Sequence, residues 1–478
     1  MLTLCGTGES YRHVTTINVL PDNVMLEIFD FYRKNNGYFL RTVWNWNWNL
    51  LVHVCQRWRQ IIFLSPIRLN LQLLCTGKTP VRKYLSIWPA FPIVIDYCSF
   101  GRSNIPIGQD NVIAALQHSE RVRHLSLDVI GPQLGKVVMA MQKPFPMLTL
   151  LNITSRDGSI PAVPAKFLQG SAPRLQEVYL HGIPYPTLPT LLRSASELVS
   201  LRLYRIPGTG YISPGEMVGC LGALPRLKDL IIEFQLATPC PNPMLPAPVT
   251  RTVLPALTSF QFRGASEYLE DFISRIDGPQ LDWIFTDYLN QLVDFQVTQL
   301  SRFIDRSIGL KLTPFKHAYV TVFGDKITFT TSPHPNYARW ESLSATTVIS
   351  CEGIDWQVSH MAQVLSNFSI TLSNVVHLKL EGGSETLEGT DDVEWLHLLH
   401  QFSTVQTLDV SKKLAEHVAL TLEDIAEELD ADLLPSLELI YLDGHPESSV
   451  EKFVAARQLS GRPVTVINTT REFYQRLK

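Results

Sequence analysis

Charge is scarce in this chain and nowhere concentrated. Only 18% of its 478 residues are Asp, Glu, Lys or Arg, the formal charge is −4, and basic residues adjoin in nothing longer than pairs such as Arg82-Lys83 and Lys412-Lys413. A nucleic-acid-binding surface needs a basic stripe to displace counterions from phosphates, so nucleic acid is not an expected partner. Cysteines are few and scattered: Cys5, Cys55, Cys75, Cys98, Cys220, Cys240 and Cys351, with no C-x-x-C pair. That spacing excludes a disulfide framework and a structural zinc site, and predicts reduced, buried thiols in the cytoplasm and/or nucleus with no metal or cofactor. Long apolar runs are absent too. The most apolar stretch, 84–95, is interrupted by Pro89 and Pro92, and the first residues carry Glu9, Arg12 and His13 where a signal peptide needs apolar ones. Neither a membrane span nor a secretory leader is expected.

Catalytic motifs are missing as well. No G-x-S-x-G, G-x-x-x-x-G-K-[ST] or helix-opening G-x-G-x-x-G occurs, and the nearest glycine loop, Pro207-Gly208-Thr209-Gly210-Tyr211, lacks the lysine a phosphate loop requires. Glu394, His397 and His400 share a helical spacing but not the H-E-x-x-H order of a zinc protease. The segment reads instead as an amphipathic helix with Trp395, Leu398 and Leu399 inward. Asp391-Asp392 before it suits the positive end of a helix dipole. No catalytic residue is assigned.

What is present is repetition. From residue 122 an aliphatic residue, two variable residues and an alternating Leu-x-Leu recur: Val122-Arg123-His124-Leu125-Ser126-Leu127, Leu148 to Ile153, Leu175 to Leu180, Leu198 to Leu203, Leu227 to Ile232 and Leu257 to Phe262. Successive copies start 23 to 30 residues apart. The theme returns at Val376, Val405 and Leu437, with steps of 29 and 32. Leucine-rich repeats have periods of this order. Helical patterns fill the intervals at 112–118, 133–141, 266–276, 356–367, 395–402 and 422–433, many followed by proline, which ends a helix and turns the chain into the next strand. Strand, helix and proline turn are the grammar of an α/β solenoid. The centre departs from it: 318–323 and 326–330 around Gly324-Asp325 read as a hairpin, with a further strand at 346–351. The proline-rich 238–248 reads as a surface loop, or as a ligand for another protein.

Two short amphipathic segments precede the repeats. The first enters through Leu20-Pro21, with Asp22 as N-cap, and presents Val24, Ile28 and Phe29 for burial. The second, 50–63, carries Leu51, Val54, Cys55, Trp58 and Ile62 on or near one helix face. A strand is expected at 67–75, then a helix at 80–87 and a strand at 92–96. Leu20-Pro21, Ile28-Phe29 and Val54-Cys55-Gln56-Arg57-Trp58, in this order, resemble the F-box over roughly a tenth of the chain. The chain departs from that family in a long connection, 34–49, bearing Trp44, Trp46 and Trp48 on alternate positions. Those tryptophans would mark an interface if extended, or else Trp48 alone enters the following helix.

With the repeats behind it, the chain is similar to the F-box proteins with divergent leucine-rich repeats that are numerous in fungi. The resemblance implies an α/β protein: a small all-α F-box-like module at 15–66 and a leucine-rich-repeat-like solenoid at 67–470, irregular around 282–352. It also implies a non-enzymatic substrate receptor of a cullin–RING (SCF-type) ubiquitin ligase. A Skp-type linker, and through it the cullin, would be held by Leu20, Pro21, Ile28, Phe29, Leu51, Val54, Cys55 and Trp58. Alternatively the same side chains pack on the first repeats as an N-terminal cap, leaving a repeat scaffold that joins no ligase. An unidentified target protein would lie on the strand residues that alternation turns away from the core. His124, Asp128, Glu177, Tyr179, Arg202, Tyr204, Lys379 and Glu381 are the ones expected to touch it.

Overall fold

The computed structural model describes residues 17–35, 48–98, 108–155, 157–159, 163–184, 187–236, 250–289, 297–307, 310, 315–335, 344–350, 354–368, 372–382, 392–428, 433–443 and 450–468. The chain divides into two compact units. Met1–Tyr97 with Ile105–His124 forms the first, and Cys98–Asn104 with Leu125–Lys478 the second.

In the first unit, helices α1 (Asp22–Asn35), α2 (Trp48–Leu51) and α3 (Gln56–Leu64) precede strand β1 (Leu73–Cys75), helix α4 (Val81–Ile87), strand β2 (Ile93–Cys98) and helix α5 (Gln109–Leu116). The three leading helices do not close a core by themselves. Met25, Leu26, Phe29, Trp48, Val52, Ile61 and Ile62 share one buried cluster with Leu69, Leu71, Leu73 and Phe91. β1 and β2 are parallel, Leu73 opposite Ile93. The strand expected over 67–75 is only its last three residues. Before it, Leu69 N–H bonds Ser65 O and Leu71 N–H bonds Pro66 O, and Asn70 sits at φ 44°, so the chain turns there. The alternation was real, since Leu69, Leu71 and Leu73 are all buried, but a turn carries most of it.

The second unit is built on one sheet. It takes up β3 (Val122–Val129) from Leu125, followed by helix α6 (Gly131–Met139) and strands β4 (Leu150–Ser155), β5 (Glu177–His181), β6 (Ser200–Ile206) and β7 (Asp229–Phe234). Then come β8 (Thr252–Val253), β9 (Ser259–Gly264), β10 (Ile276–Asp277), β11 (Trp283–Tyr288), β12 (His317–Phe323), β13 (Lys326–Ser332) and β14 (Ser344–Ser350). The series ends with β15 (His377–Gly382), β16 (Thr407–Val410), β17 (Leu439–Leu442) and β18 (Thr465–Asn468). From β4 the spatial order is β4-β5-β6-β7-β9-β11-β14-β13-β12-β15-β16-β17-β18, while β8 and β10 pair separately. Each Leu-x-Leu theme is a strand in parallel register: Val178 lies opposite Leu201, Leu201 opposite Leu230, Leu230 opposite Phe260.

A repeated backbone contact sets that register. The carbonyl just before a strand accepts two successive N–H groups of the next repeat: Gln176 O from Val199 and Ser200, Val199 O from Lys228 and Asp229, Lys228 O from Thr258 and Ser259. It returns later, with Val376 O accepting from Gln406 and Thr407, and Gln406 O from Glu438 and Leu439. The two variable residues of the sequence theme are therefore where the backbone of one repeat is tied to its neighbour, which leaves their side chains unconstrained.

Helices fill the intervals: α7 (Leu188–Ser194), α8 (Pro214–Leu221), α9 (Ser266–Ser274), α10 (Thr298–Arg306), α11 (Ile354–Ser366), α12 (Asp392–Leu399), α13 (Ala415–Glu428) and α14 (Glu451–Leu459). α7, α8, α10 and α14 lie where no helix was expected. Consecutive helices are also linked by buried or half-buried carboxylates. Glu270 on α9 accepts the N–H groups of Gln299 (2.6 Å) and Leu300 (3.0 Å) at the start of α10, and Glu423 accepts that of Lys452 (2.9 Å) at the start of α14. A carboxylate there supplies the acceptor that the first helical N–H groups lack.

The central hairpin is part of the same sheet. β12 and β13 are antiparallel with Phe323 opposite Lys326, and Gly324 takes φ 53° in the turn. β13 also pairs antiparallel with β14, while β12 pairs parallel with β15, so two extra strands are spliced in without ending the array.

Candidate functional site

Two surfaces carry the residues that the sequence singled out, one in each unit. On α1, advancing about 100° per residue, Met25, Leu26 and Phe29 fall on one arc and Val24, Ile28, Phe31 and Tyr32 on the adjacent one. The first arc is the buried one, with Met25 and Phe29 each 1% exposed. The second is open: Val24 and Ile28 are each 38% exposed and Phe31 is 68% exposed. Val24 and Ile28 were expected inside. They lie outside because the stripe through Met25 reaches Ile61 and Ile62 first.

The helix expected over 50–63 is two. After α2 the chain turns through Val52 to Val54, and Cys55, at φ −157° and ψ 170°, is the N-cap of α3, its sulfur accepting the Trp58 N–H at 3.5 Å. A thiol is a weak but sufficient acceptor for that orphan donor. Cys55 is therefore not a member of an apolar stripe, and Val54, in the turn, is 58% exposed. Trp58 contacts Phe29 with ring centroids 4.9 Å apart, and Leu20, Leu51 and Trp58 lie half-buried against the core. Asp22 opens α1 as its first residue rather than its cap. Its carboxylate and the Leu20 carbonyl are both held by one guanidinium: Arg57 Nη2 donates to Asp22 Oδ1 at 2.7 Å and to Leu20 O at 2.6 Å. Arg68 pairs with Glu27 on the same helix.

Of the eight residues proposed for linker contact, Pro21, Ile28 and Val54 are exposed, Leu20, Leu51, Cys55 and Trp58 are half-buried, and Phe29 is buried. Trp48 is 5% exposed, its indole N–H donates to Gln72 O at 3.3 Å, and its ring meets Trp88 and Phe91 edge-on. Residues 44–47 of the Trp-Asn stretch and the proline-rich 238–248 lie outside the described residues.

The second surface is the strand face turned away from the core. On β5 and β6, Val178, Leu180, Leu201 and Leu203 are buried, while Glu177, Tyr179, Arg202 and Tyr204 are not. Tyr179 and Tyr204 approach with centroids 5.0 Å apart and planes at 41°, and His181 lies 6.4 Å from Tyr204. Arg202 reaches Asp229 at 2.6 Å, and Asp229 also accepts Ser200 and Ser259 hydroxyls. Arg263 bridges Glu233 and Asp287, each at 3.2 Å. Asp128 accepts the Cys98 thiol at 3.5 Å. Further along, Lys379 and Glu381 pair at 3.2 Å, and His317 stacks on His377 at 4.7 Å. His124 belongs to the first unit, where burial and then Arg123 push its pKa down to about 4. It is neutral at physiological pH.

Sequence reasoning missed Trp283 and Phe285, which stack at 6.1 Å on the open face of β11. The signal was Leu281-Asp282-Trp283-Ile284-Phe285, the repeat theme ending on Thr286 where a leucine was sought. Thr286 does point inward, 1% exposed, with its hydroxyl bonded to Thr347 Oγ1 at 3.2 Å.

Among the described residues, no group of three or more His, Cys, Asp and Glu is arranged to hold a metal, and no helix is long and apolar enough to cross a membrane. Trp395, Leu398 and Leu399 face the core, with His397 and His400 exposed.

No family model and no curated protein matches the sequence. Similar solved structures include the leucine-rich repeat-containing protein LegL7 from Legionella pneumophila, at 14% identity over 83% of this chain and 99% of that one, with a TM-score of 0.28. Rad7 in its complex with Elc1 in yeast is 14% identical over 94% of both chains, with a TM-score of 0.26. The TLR13–ssRNA13 complex is 15% identical over 77% of this chain and 45% of that one, with a TM-score of 0.29. With scores this low, none of them carries an assignment to this chain.

Proposed function

We propose that the chain is a non-catalytic adaptor of a cullin–RING ubiquitin ligase, its N-terminal helices docking on a Skp-type linker and its repeat face holding a target protein in the cytoplasm or nucleus. One observation carries the reading. Eleven of the seventeen large apolar side chains that stand exposed among the described residues fall between Ile17 and Ile87, and four of them form the open stripe Val24, Ile28, Phe31 and Tyr32 on α1. A helix with apolar arcs on two sides serves its own core with one and needs a partner for the other. Ile28 and Val54, both in that exposed set, also belong to the F-box-like pattern. Covering a handful of such side chains is worth roughly 1.5–3 kcal/mol each before the cost of association.

A scaffold that joins no ligase is the second reading. It is favoured by Phe29, Leu51 and Trp58, which the chain's own core already uses. Co-purification of the full chain with a Skp-type linker separates the two, comparing wild type with Val24→Ser/Ile28→Ser. Loss of linker in the variant supports the adaptor. A wild type that captures none leaves the scaffold.

A further inference from the structure

Strand β11 is apolar on both faces. Ile284 points into the core, yet Trp283 and Phe285, on the open side, are only half-buried and stack on each other at 6.1 Å with their planes 14° apart. A strand with one face in water alternates apolar with polar, so the core does not call for this pair. Register places it in a row without charge. Ile231, Gln261, Phe285, Thr346, Thr330 and Tyr319 lie opposite one another across β7, β9, β11, β14, β13 and β12. Strands about 4.8 Å apart make this row about 24 Å long, the reach of about seven extended residues. It ends on Arg202 at one side and Lys379 at the other. Both cations are engaged, Arg202 by Asp229 and Lys379 by Glu381, and Arg263 beside the row is held by Glu233 and Asp287. The hydroxyls are matched as well: Thr330 and Thr346 bond each other at 3.2 Å, and Tyr319 donates to Pro335 O. Among the described residues, the Trp283 indole N–H has no acceptor.

We infer that this row takes an uncharged, extended segment of a target protein, with an aliphatic or aromatic side chain seated on Trp283 and Phe285 and a backbone carbonyl accepting the Trp283 indole N–H. The inference rests on the reading that the repeat face holds a target, and it names the kind of segment held. Charge decides the class. A charged side chain laid along the row would lose its water and find the nearest opposite charges already paired. Removing Trp283 and Phe285 from water supplies the favourable term instead, as aromatic anchors do at the centre of protein interfaces. An extended backbone suits the indole because its carbonyls are open to bonding, whereas a helix leaves only its last four.

The test is fluorescence anisotropy on the full chain with a labelled Ser-Gly peptide bearing spaced leucines, beside counterparts with aspartate or lysine in their place. The leucine peptide should bind with little dependence on salt, and neither charged peptide should bind. Trp283→Ala should weaken it about ten- to thirtyfold, the range of an interface anchor. Trp283→Phe keeps an aromatic surface but removes the donor, and should weaken it about two- to fivefold. It decides the matter if the alanine variant does not fold. Val24→Ser/Ile28→Ser should leave the peptide unaffected, which separates this row from the open stripe on α1. No binding of the leucine peptide, equal binding of a charged one, or indifference to the Trp283 changes overturns the inference, as does loss of binding in Val24→Ser/Ile28→Ser. Linker capture is read separately. If capture fails while the peptide still binds, only the ligase reading falls; if capture holds while the peptide fails, only this inference does.

Discussion

Along α1 an apolar stripe lies open, whereas on β5 and β6 the valine and leucines all point inward and the opposite positions are polar or aromatic. The repeat unit leaves only six large apolar side chains exposed among its described residues: Met139, Leu236, Val253, Phe323, Leu420 and Leu459. A strand of period two sorts its side chains onto two faces automatically, so a repeat theme that places its leucines correctly has no apolar surplus. The N-terminal unit has more apolar side chains than its own core takes up. The surplus, not the amount buried, is what supports the proposed docking of the first unit as against the stacking of the second.

The largest effect expected from this comparison is on stability. Phe29→Ala removes a fully buried ring that touches Trp58 and should cost about 3–5 kcal/mol, read from denaturant unfolding. Val24→Ser and Ile28→Ser, one arc away, should each change stability by about 0.5 kcal/mol or less while removing linker capture. If the serine variants unfold as readily as Phe29→Ala, the open stripe is part of the core and the contrast between the two units disappears.

Next in size is a pH effect confined to the repeat unit. Burial raises the Glu270 carboxyl from 4.5 to about 7, against the two backbone N–H bonds it accepts and the charge of Arg302, which lower it. The unfolded chain then releases this proton at lower pH than the folded one. The associated stability is fully present below about 4.5 and is lost as pH rises through about 7, by an amount on the order of a few kcal/mol. Thermal unfolding of wild type and Glu270→Gln across that window should coincide at low pH and part at high pH, relative to each protein's own maximum, the wild type alone losing stability as pH rises. Parallel curves would mean that Glu270 does not titrate between helices α9 and α10.

A smaller effect tests whether the spliced hairpin belongs to the array. Gly324 turns at φ 53°, a left-handed conformation that costs an L-residue about 1–2 kcal/mol. Gly324→Ala should lower the unfolding free energy by that amount in one cooperative transition. A separate early transition would show that β12 and β13 unfold apart from their neighbours.

The strands of the repeat theme could be read from the sequence because one local rule decides each of them: an inward leucine every second residue and a backbone tie to the next copy. β11 escaped since the inward position after Ile284 is Thr286, satisfied by a hydroxyl partner, Thr347, that is 61 residues away. Short helices such as α7 and α8 escaped because each opens with a proline at its first turn, which reads equally well as the end of a loop. The N-terminal contact residues were legible as types but not as faces. Whether Val24 or Met25 turns inward depends on where Ile61 and Ile62 stand, and that depends on the break at Cys55, which no periodicity announces.

That break also gives the smallest and most discriminating prediction. Because α3 starts at Gln56, Arg57 is brought to the entry of α1, where it binds both the Leu20 carbonyl and the Asp22 carboxylate. The ion pair is largely exposed and contributes about 1 kcal/mol or less to stability. If the N-terminal helices dock as proposed, its consequence there is larger than its energy, since Leu20-Pro21 opens the F-box-like stretch and Arg57 holds the Leu20 carbonyl at the entry of α1. Arg57→Met should leave the unfolding midpoint nearly unchanged yet weaken linker capture severalfold, with Arg57→Lys restoring part of it. Equal capture by Arg57→Met and wild type would mean that burial of Leu20 against the core already sets this entry, and that the guanidinium has no part in docking.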